Sequence, residues 1–197
     1  GTSIYDDELI TTAFYSLAPQ PDLQVAFVVA CNAALRPIDL FGLEWLNVTL
    51  TGSLPSIEFD AEKTGKIQRI PLAPCTVAHL KRLPKTSKYV FPRLGNPDVE
   101  KPEKSPEARA RTAMTKFLFA QAGIKCESPS DPFYKPWQRC RPTCNERLER
   151  HSPGVGQFVL GHSLTLNASS YREPSKQIRD AILTVPRPDC FLEILKK

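Results

Sequence analysis

The sequence predicts an α+β fold, mainly α-helical, with one small antiparallel β-sheet near residues 47–72. Three observations predict it. Helical periodicity or an unbroken apolar stretch covers residues 22–34, 107–122 and 138–150. Between 47 and 72 the pattern changes to short runs rich in β-branched residues, broken by turn signals. The 19 prolines cluster between these segments, where a missing N–H and a fixed φ cost least.

Taken in order, residues 22–34 (DLQVAFVVACNAA) are apolar almost throughout, as a buried helix requires. Pro37 suits the first position of the next helix, whose apolar face is Ile38, Leu40, Phe41, Leu43 and Trp45. Strands are expected at VTL, SIEFD and IQRIPL, with turns at Thr51-Gly52 and at Lys63-Thr64-Gly65-Lys66. Residues 75–83 read as a short helix, and 84–106 as a proline-dotted connection with room for a small strand, KYVFP. An amphipathic helix at 107–122 ends at Gly123, and helical periodicity returns at 138–150. Pro153 and Gly154 punctuate the approach to QFVLGH, and a last helix is expected at 188–197. No internal repeat or low-complexity tract occurs, so residues 1–197 are expected to form a single domain.

Composition narrows the function classes. No apolar run approaches the roughly 20 residues a membrane helix needs. The acidic start has no basic n-region of a secretory signal, and a chain beginning with Gly is expected to be an excised fragment. The six cysteines form no CxxC, and the three histidines have no zinc-like spacing, so reduced intracellular thiols are expected. Cys140 and Cys144, one helical turn apart, read as packing residues; His79 and His151 read as surface residues. The net charge is +5, but residues 1–62 hold nine acidic side chains and one basic one, Arg36. The remainder carries the positive charge, which suits a polyanion.

Three stretches carry the chemistry: Ala34-Leu35-Arg36-Pro37-Ile38-Asp39-Leu40-Phe41-Gly42-Leu43-Glu44-Trp45; Glu62-Lys63-Thr64-Gly65-Lys66; and Gln138-Arg139-Cys140-Arg141-Pro142-Thr143 with Leu160-Gly161-His162 and Tyr171. Together they resemble the catalytic domain of the tyrosine recombinases, the phage-integrase family. That family's order is an Arg in R-x-x-E/D-L-x-x-L, a hairpin Lys, H-x-x-R, L-G-H and a Tyr. The resemblance covers residues 20–175, and LGH with Tyr171 nine residues after the histidine is its most specific part.

The resemblance implies a DNA-integrase fold and strand cleavage through a 3′-phosphotyrosine. Arg36 and Arg141 would clamp the non-bridging oxygens, as planar and permanently charged guanidiniums can. Asp39 would orient Arg36, Lys63 would protonate the departing 5′ oxygen, His162 would donate to the phosphate, and Tyr171 would attack phosphorus. Lys66 competes with Lys63, and Tyr134 is the alternative nucleophile. One position departs from the pattern: where the family has His, this chain has Gln138, which can hydrogen-bond but cannot accept and return a proton. Anchoring on Arg139 instead would put Pro136 at that position. Trp137 reads as a packing residue.

No cofactor and no metal are implied, because the bond energy is kept in the phosphotyrosine. Lys66, Arg109, Arg111, Lys116 and Arg139 are candidates for contacts to the DNA backbone, which are sequence-independent and salt-sensitive. The expected partner is double-stranded DNA, bound by a homo-oligomer, a tetramer by family analogy, with no membrane contact. The expected location is cytoplasmic, in a bacterial or phage-type nucleoid. An N-terminal DNA-clamping domain would be missing from this fragment, and the apolar stretch 190–195 would dock on a neighbour or pack on its own chain. The rival expectation is a non-catalytic DNA-binding protein that keeps the fold.

Overall fold

In a computed structural model, the described residues are 3–61, 66–95, 99, 102–160, 171–172 and 175–196; for 60, 61, 66, 102, 171 and 172 only the backbone is described. Helix α1 (Asp7–Ser16) starts at Asp6, whose side chain accepts from Leu9 N, and buries Ile10, Ala13 and Phe14. It adds a helix to those expected from the sequence, although its cap and its three- and four-residue apolar spacing both signal one.

Helix α2 (Pro21–Ala33) is buried on nearly every side from Leu23 to Cys31, which explains why it has no polar face. It stops at Ala34, which takes a left-handed conformation (φ 51°, ψ 29°) despite its Cβ. That conformation ends the helix abruptly and costs about 1–2 kcal/mol for a non-glycine residue. Helix α3 (Pro37–Phe41) comes next, with Pro at its first position. It is shorter than its apolar face suggested: Gly42 ends it, and residues 45–47 form a 3₁₀ turn.

Strands β1 (Val48–Thr49), β2 (Ser56–Ala61) and β3 (Lys66–Pro71) pair antiparallel, in register Val48↔Ile57 and Ala61↔Lys66. Ile57 and Ile70 are buried and directly paired, and on the outer face Arg69 meets its cross-strand partner Glu58 at 3.5 Å. Gly52, at φ 86°, supplies the left-handed residue of the β1–β2 turn. The β2–β3 connection, positions 62–65, lies outside the described residues. Helix α4 (Pro74–Lys81) then returns to the core. KYVFP contributes a single bridge, Tyr89 to Glu44, rather than a strand.

Helix α5 (Pro106–Gln121) is capped by Ser105, whose hydroxyl accepts from Ala108 N, and ends before Gly123 at φ 81°. Helix α6 (Pro136–His151) begins two residues earlier than expected and contains Pro142. Lacking an N–H, Pro142 leaves the Gln138 carbonyl without its helical donor. Helix α7 (Val155–Val159) starts after the left-handed Gly154. Strand β4 (Tyr171–Arg172) lies parallel to β3, through Ile67↔Tyr171 and Gln68↔Arg172, so the sheet is not purely antiparallel as expected. Helix α8 (Lys176–Thr184), capped by Ser175, is a second addition to the expected elements; α9 (Asp189–Leu192) and a 3₁₀ turn at 193–196 replace the single last helix.

One apolar cluster draws residues from the helices and from strands β1, β2 and β3. Its aromatic centre sets Tyr5 against Phe27, Phe119 and Phe133, with Tyr5–Phe133 stacked at 4.5 Å. His79 is a correction: it is buried, edge-on to Phe14 at 5.6 Å, with Nε2 3.2 Å from Phe191 O. Burial holds its imidazole below the ordinary range. His151 is exposed, 3.0 Å from Thr184 Oγ1, and the six cysteines are free and buried. Cys190 and Phe191 are buried in this chain's own core, so the apolar stretch 190–195 packs on itself, with Leu195 left exposed. No helix among the described residues is long and apolar enough to cross a membrane.

Candidate active site

The left-handed turn at Ala34 sets Arg36 at the start of α3, half-buried, as that helix's N-cap residue. Because Pro37 begins α3, Arg36 is extended (φ −70°, ψ 154°), and its carbonyl closes the first turn onto Leu40 N at 2.9 Å. Asp39 lies one turn along the same helix and is half-buried.

Arg141 arrives from α6, which packs against α2. Its Nη1 donates to Ala34 O at 2.8 Å, and its Nη2 donates to Leu160 O at 2.6 Å. One guanidinium therefore ties the turn that carries Arg36 to the residue that opens Leu160-Gly161-His162. Those two bonds use only part of the five-donor fork. Burial pushes the Arg141 guanidinium below its ordinary range; the charge of Arg36 adds to this, and Asp39 opposes it. Arg141, more than a hundred residues further along the chain, thus comes within electrostatic reach of both Arg36 and Asp39. Like charges held together at a half-buried surface are relieved by an anion that both can reach.

The sheet is anchored to the same site. Gln68, buried in β3, donates through Nε2 to the carbonyls of Phe158 and Val159 at the end of α7. The start of α7 is held by Glu149, whose carboxylate accepts from Gly154 N at 2.8 Å and Gln157 N at 3.2 Å. Gly156 lets α7 approach α6 closely, since a methyl there would run into Asn145 Oδ1 and Glu149 Oε1. Neither Gln68 nor Glu149 stands out in the sequence. A polar residue at an inward strand position is the only local signal for Gln68.

The other expected residues lie in several places. Lys63 and His162 lie outside the described residues. Tyr171 is described by its backbone alone, which β4 sets beside Ile67, and Lys66 by its backbone at the start of β3. Gln138 is exposed in the first turn of α6. Tyr134, the alternative nucleophile, is half-buried with Lys116 Nζ 3.4 Å from its ring centroid. Arg109 is exposed on α5. Arg111 is held within the chain, donating to Gln20 Oε1 at 3.0 Å and Arg93 O at 3.1 Å, with Asp22 at 4.0 Å. Arg139 Nε donates to Pro132 O at 2.9 Å. Trp137 packs as expected, edge-on to Phe41 at 5.9 Å.

With Pro37 and Gln138 in its wall lies a cavity of about 270 Å³, bounded by α3, α5, the 3₁₀ turn at Pro102–Lys104 and the first turn of α6. Glu103 and Trp137 line it, and among the described residues neither Glu103 Oε2 nor Trp137 Nε1, both buried, has a hydrogen-bond partner. Compared with protein-family models, with curated proteins and with solved structures, the chain matches none.

Proposed function

We propose that this chain is the catalytic domain of a DNA strand transferase of the tyrosine-recombinase type, which cleaves and rejoins duplex DNA through a 3′-phosphotyrosine. The observation that carries the reading is that Arg141 donates to both Ala34 O and Leu160 O, and so ties the turn before Arg36 to the residue that opens Leu160-Gly161-His162. The motif order joins it to Lys63, His162 and Tyr171.

In this reading the Tyr171 hydroxyl attacks phosphorus and the P–O bond to the 5′ oxygen breaks. Lys63 gives that oxygen its proton, with Lys66 as the competing donor. The two guanidiniums and His162 stabilise the charge that grows on the non-bridging oxygens, which is where such groups lower a barrier most. The tyrosine proton leaves to water, because Gln138 stands where a base is expected. A 5′ hydroxyl attacking the phosphotyrosine reverses the sequence, with no change in the number of phosphodiester bonds. The partner is double-stranded DNA, engaged by a homo-oligomer, and the location is the nucleoid.

Gln138 supports a second reading, a DNA-binding protein that keeps the fold without turnover, because an exposed amide replaces the expected imidazole. A nicked suicide duplex separates the two. The first reading predicts a covalent protein–DNA adduct, resistant to EDTA and lost in Tyr171→Phe, with faster formation in Gln138→His. Salt-sensitive binding with no adduct in wild type or in Gln138→His would establish the second.

A further inference from the structure

Gln68 lies on the core face of β3, two residues before the buried Ile70, and is only 1% exposed. An amide on a core face costs stability unless its hydrogens are taken up, so packing alone would favour an aliphatic residue. Here Nε2, which carries two hydrogens, donates to Phe158 O and, at 3.3 Å, to Val159 O. Those carbonyls stand at the end of α7, and a helix leaves the carbonyls of its last turn without donors of its own.

The backbone of the same residue makes a second connection. Gln68 faces Arg172, and its neighbour Ile67 faces Tyr171, in the parallel pairing of β3 with β4. Val159 and Tyr171 are twelve residues apart, a length that can span roughly 40 Å when extended. One residue holds both ends of that length, the first by its side chain and the second by its strand pairing. Next to Val159 is Leu160, whose carbonyl accepts from Arg141 Nη2 at 2.6 Å. A bonded path therefore runs from the Arg141 guanidinium through Leu160, the end of α7 and Gln68 to the backbone of Tyr171.

We propose that Gln68 is a positioning residue, which fixes the Tyr171 backbone relative to Arg141 by clamping α7 and β4 to one strand. It touches no reacting atom and acts only through the two elements it holds. The clamp itself belongs to the fold; its effect on chemistry rests on the strand-transferase reading.

Two measurements test it, the first without DNA. Hydrogen exchange is followed in the whole chain and in Gln68→Met, which keeps the length of the side chain but not its donors. Peptides containing Val159–Leu160 and Tyr171–Arg172 are both expected to exchange about fivefold or more faster in the variant, as hydrogen bonds to each are lost or loosened. The peptide containing Ile57 should keep its wild-type rate. Faster exchange of the α7 peptide alone, or of neither, would overturn the clamp. If Gln68→Met does not fold, wild type in rising urea decides: the two peptides should share one urea dependence, and separate dependences would contradict the clamp.

The second measurement is single-turnover adduct formation on a nicked duplex. Gln68→Met is expected to lower the rate constant at saturating DNA about tenfold or more, because small displacements of a reacting group are costly. Duplex affinity and final yield should not change. A lower yield with an unchanged rate constant is what a merely structural loss produces, and it would overturn the positioning role. No adduct in wild type would remove the strand-transferase reading and the positioning role with it, while the exchange result alone would decide the clamp.

Discussion

Arg141 is the residue on which the candidate site turns, because it bonds both Ala34 O and Leu160 O. Lysine in its place keeps a charge but cannot span two carbonyls and a phosphate from one planar fork. Arg141→Lys is therefore expected to slow adduct formation by about 10²–10³, measured on a nicked duplex, while Arg139→Lys changes it little. His79 gives a second prediction. Its folded pKa lies below the ordinary 6.5 because burial disfavours the imidazolium. The unfolded chain therefore binds the extra proton more readily. Stability is full above about 6.5, falls as pH drops through that value, and levels off below the depressed folded pKa. Urea midpoints between pH 8 and 5 should fall in wild type and stay flatter in His79→Phe. Arg36, Asp39 and Arg141 are legible in the sequence because their spacing is chemical. Glu103 and the interior setting of His79 are not, because burial of a polar group is decided by what packs over it.

At the scale of elements, the helices with continuous periodicity, α2, α5 and α6, are legible in the sequence, and their ends differ by one or two residues as Pro and Ser caps decide. Strand β4 is not: two residues carry no periodicity, and only pairing with Ile67 and Gln68 defines it. The α6–α7 junction is legible only as a turn signal at Gly154. Its close packing depends on Gly156, where any side chain meets Asn145 and Glu149. Gly156→Ala is expected to cost about 1–3 kcal/mol in urea unfolding. It should also lower adduct yield, because α7 positions Leu160. Gly52→Ala, at a turn where a methyl meets nothing within 4 Å, should cost only the left-handed backbone penalty and leave adduct yield unchanged.

For the whole molecule, the acidic first third forms the buried scaffold of α1–α3 and offers a single cation, Arg36. The positive charge lies on the remaining two thirds, although Arg111 and Arg139 bond within the chain and so add less to an outward field than their count suggests. Duplex affinity should still fall steeply with salt, with a log–log slope of about −0.9 per phosphate neutralised. A slope near zero would contradict backbone binding. The central claim is that Tyr171 becomes covalently joined to DNA, and the measurement that tests it most directly is peptide mapping of protein trapped on a nicked duplex. The account predicts a nucleotide phosphate on the peptide containing Tyr171; a modification on Tyr134, or no modified peptide at all, would contradict it.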